Sequence, residues 1–102
     1  MKIVRVTYTT TQEFAASNRA NIEKVMSDLQ QLPNSGIRYN TCLNADGKTF
    51  VHTVIFRQDE DQKVLSDLPS FKTFQEQLKA SSPEAPPKQE LLTLVGASYN
   101  IF

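Results

Sequence analysis

Four strand-like stretches and two amphipathic helical ones follow one another as β-α-β-β-α-β along this chain. That order predicts an α+β fold of the ferredoxin-like type, a four-stranded antiparallel sheet with two helices on one face. Three observations carry the prediction. Phe14, Asn18, Ile22, Val25, Met26, Leu29 and Leu32 recur at helical spacing directly after a β-branched opening. Asn44-Ala-Asp-Gly47 is a tight-turn signal between two strand-like stretches, which it joins as a hairpin. Lys48 to Arg57 is rich in β-branched and aromatic residues and suits a central strand, the place this topology reserves for the first and third strands.

Lys2 to Thr10 reads as the first strand, with Val4, Val6 and Tyr8 on one face and Ile3, Arg5, Thr7 and Thr9 on the other. Thr10-Thr-Gln-Glu13 fits a capping box, which predicts a helix from there to about Leu32, stopped by Pro33-Asn-Ser-Gly36. Ile37 to Leu43 alternates as a second strand, with Ile37, Tyr39, Thr41 and Leu43 sharing a face. Asp59-Glu-Asp61 opens the second helical region, since carboxylates suit the positive end of the helix dipole. Pro69 breaks or restarts that helix near Leu68–Ser70, and Phe71, Phe74 and Leu78 form its second apolar stripe. Ser81 to Pro87 reads as a connector, and Gln89 to Ile101 as the last strand, with Gly96 marking a bend or bulge.

At 102 residues the chain is expected to form a single domain spanning 1–102. Its 11 basic and 11 acidic residues balance, and the basic ones are scattered, so there is no bulk footprint for nucleic acid. The lone Cys42 excludes an internal disulfide framework and fits a reducing compartment. The start Met-Lys-Ile-Val-Arg lacks the apolar region of a signal peptide, and no apolar run approaches a membrane span, so a cytoplasmic location without a membrane partner is expected.

The third strand has Phe50, His52, Val54 and Phe56 on one side and Val51, Thr53, Ile55 and Arg57 on the other. Two helices cover one face of such a sheet. Apolar residues on the second face predict a second cover, most economically a homodimer packed sheet to sheet.

The segments Phe56-Arg-Gln-Asp-Glu-Asp61 and Leu68-Pro-Ser-Phe-Lys-Thr-Phe-Gln-Glu-Gln-Leu78 resemble those of the dimeric α/β-barrel superfamily, in particular its antibiotic-biosynthesis-monooxygenase-like domains. Members often carry an apolar strand, an acidic helix start and then a Ser-Pro-His-Phe-x-x-Phe-like segment; Pro69, Phe71 and Phe74 stand in the matching places. The resemblance covers the whole chain in topology and about a dozen residues in motif, and it implies the fold and the dimer. It leaves room for cofactor-free oxygenation of an aromatic or carbonyl compound. Ser70 stands where many members have His, Leu65 lies where an earlier helical His would fall, and the chain has no Trp. Haem degradation, which the resemblance associates with an Asn, Trp and His set, is therefore not implied.

His52, the only histidine, is the sharpest candidate for catalysis, because imidazole titrates near neutral pH and can serve as base, acid or ligand donor. The plain alternative is a strand histidine satisfied by a Tyr or Thr hydroxyl. Tyr8, Tyr39 and Tyr99 lie on three expected strands and could grip an aromatic ligand or fill the core. Asn18 either points a polar group into the same space or is a solvated position. Arg5 and Arg57 could bind an acid group or pair with surface carboxylates. Cys42 lacks a nucleophile signature and is expected to be buried filler. One His and one Cys make no closed metal site, and three separated glycines make no phosphate loop. The expected site is a pocket between sheet and helices lined by Tyr8, Asn18, His52, Phe71 and Phe74, with His52 as proton acceptor and no metal or cofactor. The competing expectation is a non-enzymatic binding or interaction protein with His52 in its packed core.

Overall fold

A computed structural model describes residues 1–33 and 35–102. The elements are β1 (Lys2–Thr9), α1 (Ala15–Gln30), β2 (Ile37–Leu43), β3 (Thr49–Phe56), α2 (Asp59–Asp67), α3 (Pro69–Ala80) and β4 (Ala85–Leu92). The strands form one antiparallel sheet in the order β2-β3-β1-β4, with β3 and β1 central. This is the ferredoxin-like α+β architecture. Strict alternation of burial along β3 settles which side meets the helices: Phe50, His52, Val54 and Phe56 are buried, while the residues between them are half-buried. Ile22 and Val25 from α1, Leu65 from α2, and Phe74 and Leu78 from α3 join Val4, Tyr8, Ile37, Phe50, Val54 and Phe56 in one core.

The second helical region is two helices. Pro69 occupies the first turn of α3, and Leu68 between them is extended, because the residue before proline disfavours helical backbone. α2 carries the acidic first turn expected of it and a capping box, in which the Gln58 side chain meets the Asp61 amide and the Asp61 carboxylate accepts the Gln58 amide at 2.9 Å. The capping box expected at Thr10–Glu13 does not form. The Thr10 hydroxyl is spent on the Lys48 carbonyl, 3.3 Å away, and Thr11 accepts the Phe14 amide instead, so α1 starts only at Ala15. At its other end α1 stops at Gln30, two residues before Leu32; Asn34, in the expected stop signal, lies outside the described residues. The hairpin turn is as expected: Gly47 takes φ +76°, and the Asp46 carboxylate accepts the Lys48 and Thr49 amides, each at 2.9 Å.

The last strand differs most from expectation. It runs over Ala85–Leu92, not Gln89–Ile101, and takes in part of the supposed connector. Register explains this. β4 pairs with β1, and Leu92 already faces Ile3, so beyond Leu92 the partner strand runs out. At the other end Ala85 faces Thr9, and Tyr8 stands opposite both Pro86 and Pro87, at a bulge. Prolines are tolerated here because β4 is an edge strand, where one row of amides has no partner to supply.

Residues beyond Leu92 therefore form no strand, and Leu94 and Val95 are exposed. The segment returns instead to the β2 end of the sheet. Arg38 Nε donates to the Ile101 carbonyl at 2.8 Å, and the Arg38 and Arg57 guanidiniums lie 4.6 and 4.7 Å from the centroid of the Phe102 ring. Cys42, expected to be buried, is exposed.

Candidate functional site

The site follows from strand register. On β3, His52 stands between Val6 of β1 and Thr41 of β2. Its diagonal neighbours on the helix-facing side are Tyr8 and Tyr39, each two residues away from a direct partner. Diagonal positions lie within reach of aromatic side chains. The Tyr8 hydroxyl lies 2.8 Å from His52 Nε2, the Tyr39 hydroxyl 2.7 Å from Nδ1, and Thr41 Oγ1 3.0 Å from the same Nδ1. From α1, Asn18 Nδ2 donates to the Tyr8 hydroxyl at 2.8 Å. The result is a continuous hydrogen-bonded chain, Asn18–Tyr8–His52–Tyr39. Asn18 is fully buried, Tyr8 and His52 are each 2 % exposed, and Tyr39 at the outer end is half-buried.

Burial sets the charge state of this chain. It lowers the His52 pKa to about 4, so the imidazole is neutral at pH 7. Burial also pushes both phenols well above their ordinary value; the Asn18 hydrogen bond offsets part of this for Tyr8. Four neutral groups thus share a buried set of protons. Neither imidazole nitrogen is free, so the His52 nitrogens reach a ligand only by way of a hydroxyl.

A cavity of about 530 Å³ opens beside the chain, between the sheet, α2, α3 and β4. That lies within the ~300–1,000 Å³ usual for small-molecule sites. Tyr8, His52 and Tyr39 line one wall; Leu65, Phe71, Phe74 and Leu78 line another. Phe74 extends the aromatic surface, with its ring centroid 5.5 Å from His52 and 5.7 Å from Phe71. Pro83, Pro86, Pro87 and Gln89 form the β4 side, and Lys79 is the only charged residue of the lining among the described residues.

Tyr8, His52, Phe71 and Phe74, expected from the sequence to share a pocket, do share this one. Asn18 does not line it; it stands behind Tyr8 and acts on the cavity only through that hydroxyl. Nor is Asn18 solvated, the other expectation for it. Tyr99 is 71 % exposed and apart from the other tyrosines, because it follows the end of β4. Arg5 pairs with Glu90 at 2.9 Å on the far face, and Arg57 stacks on Phe102, so neither arginine enters the cavity. Thr41 and the β4 prolines were not singled out in the sequence. Only the pairing of Thr41 with His52, and of Tyr8 with two prolines, gives them their places.

Solved structures of known proteins share the fold that carries this cavity. The chain superimposes on an antibiotic biosynthesis monooxygenase with TM-score 0.79 and 12 % identity, over 94 % of this chain and 100 % of that one. A cofactor-independent oxygenase from Streptomyces nogalater matches with TM-score 0.68 and 14 % identity, over 97 % and 98 % of the two chains. A Deinococcus radiodurans protein provisionally given the monooxygenase name matches with TM-score 0.73 and 19 % identity, over 100 % and 99 %. At such identities the likeness establishes the fold: this chain has the antibiotic-biosynthesis-monooxygenase-like fold that Pro69, Phe71 and Phe74 suggested. No protein-family model matches the sequence, and no curated protein does. Among the described residues, no helix is long and apolar enough to cross a membrane.

Proposed function

We propose that this protein binds a small aromatic compound in the cavity beside His52 and works as a homodimer joined through the sheet face. The carrying observation is the cavity itself: the space between sheet and helices is open beside a polar chain that ends in a half-buried phenol. The lining is apolar and aromatic with few polar groups, as small-molecule sites usually are. The enzymatic form of this reading is cofactor-independent oxygenation of an activated aromatic or carbonyl compound. In such a reaction the substrate itself supplies the electrons, as when an activated diaryl methylene and O₂ give the ketone and water. His52 would serve there as proton acceptor through the hydroxyls that hold its nitrogens. Sharing of a fold with a cofactor-independent oxygenase supports this form.

A non-enzymatic binding protein is the second reading. One observation favours it: both imidazole nitrogens are already hydrogen-bonded, as in a packed core. Thermal-shift screening of aromatic metabolites on wild type and His52→Ala tests the binding, and oxygen consumption with each binder separates the two readings. Binding without oxygen uptake leaves the second; no binder at all removes both. The half-buried or exposed apolar residues Val51, Ile55 and Leu92 on the face away from the helices support the dimer. A stable monomer in sedimentation at micromolar concentration would end that part of the proposal.

A further inference from the structure

The buried chain holds one unpaid polar atom. Asn18 is fully buried, yet its Oδ1 has no hydrogen-bond partner among the described residues. Buried acceptors are normally paired, and an exception asks for a reason. The proton count along the chain supplies one. Suppose the Asn18 amide donates to Tyr8, as it stands. The Tyr8 hydroxyl then has its proton free for His52 Nε2, Nδ1 carries the imidazole proton and donates to Tyr39, and the Tyr39 proton points outward. Now suppose the amide turns over, so that Oδ1 takes the position of Nδ2. Tyr8 donates to Oδ1, Nε2–H donates to Tyr8, and Tyr39 donates inward to Nδ1, so its oxygen is left to accept from outside. Thr41 is a hydroxyl and can follow either order. Both orders pair every link of the chain and keep the imidazole neutral; one amide atom is idle in each, and only the outward side of Tyr39 awaits a partner.

We infer that Asn18, Tyr8, His52 and Tyr39 form a reversible hydrogen-bond wire, and that Tyr39 at its outer end reads a polar substituent on an aromatic ligand, as donor or as acceptor. Resting on the ligand-binding reading above, this assigns the polar contact with the ligand to Tyr39, whose proton His52, Tyr8 and Asn18 set from behind. The ligand class it selects is an aromatic ring bearing a hydroxyl or a carbonyl, since one site then holds both the phenol and the keto form of a compound.

Three bicyclic probes of nearly one size separate the cases: indole donates, indanone accepts, and indene does neither. In wild type, indole and indanone should each bind about tenfold more tightly than indene, the worth of one good hydrogen bond. Tyr39→Phe should bring all three within about twofold of one another. The single histidine gives a direct readout by nitrogen NMR on the wild-type protein. Bound indanone should give the Nδ1–H tautomer and bound indole the Nε2–H tautomer. The same tautomer with both probes, or a polar preference that survives Tyr39→Phe, overturns the wire. If indene binds and the polar probes gain nothing, the wire fails while the cavity reading stands. If none of the three binds, both fail. Should Tyr39→Phe not fold, the wild-type tautomer comparison still decides.

Discussion

The two faces of the sheet are built from alternate residues of the same strands and hold together differently. On the helix side, Tyr8, Phe50, His52, Val54 and Phe56 are buried, and the polar groups among them are neutral and joined end to end. On the far side, one residue out of step, Arg5 pairs with Glu90 and the Thr9 and Thr49 hydroxyls meet at 2.9 Å, all in reach of water. The first face gains from removing apolar area from water and cannot leave a polar atom unpaired cheaply. In a single protomer the second can trade every polar contact for a water contact at little cost. Changes on the two faces should therefore differ several-fold in effect.

The largest effect belongs to the aromatic floor. Phe50 is 2 % exposed and stacks on Tyr8 with centroids 5.6 Å apart. Phe50→Ala should cost about 3–5 kcal/mol in urea unfolding. Next comes pH. The unfolded His52 titrates near 6.5 and the folded one near 4, so the unfolded state binds more protons between those values. Stability should fall as pH drops through about 6.5 and stop falling near 4, by roughly 3 kcal/mol relative to His52→Gln measured in parallel. Tyr8→Phe removes one hydroxyl that serves two partners, Asn18 Nδ2 and His52 Nε2, and should cost about 1–3 kcal/mol. Smallest is Arg5→Ala on the far face: in a single protomer, where its pair with Glu90 is solvated, the cost is expected within about 1 kcal/mol and is weakened further by salt. An Arg5→Ala cost equal to that of Tyr8→Phe would remove the contrast between the faces.

Much of this contrast could be read in the sequence, and the exceptions share a cause. The alternation along Lys48–Arg57 separates the two faces, but not which one meets the helices; α1 and α3 decide that by placing Ile22, Val25, Phe74 and Leu78 over Phe50 and Val54. The apolar run Leu91-Leu-Thr-Leu-Val95 looks like a strand by composition, yet β4 ends at Leu92 because β1 offers it nothing beyond Lys2. Pro86 and Pro87 look like a connector and lie in a strand, since an edge position forgives missing amides. For the site, the residue types pointed to His52, Tyr8, Phe71 and Phe74. The prominence of Tyr39 and Thr41, and the retreat of Asn18 behind Tyr8, depend on strand register and on side-chain directions across three elements. Local pattern carries no record of such pairings.

Filling the space beside the His52 chain tests most directly whether it is a ligand site. Val6 lines the cavity next to His52 without belonging to the hydrogen-bonded chain. Indanone binding should be measured calorimetrically on wild type and on Val6→Phe, with the fold of each checked by circular dichroism. Wild type should bind at one site per protomer, and a folded Val6→Phe protein should bind at least tenfold more weakly. Equal affinity for the two proteins, or no binding to wild type, would contradict the ligand-site reading.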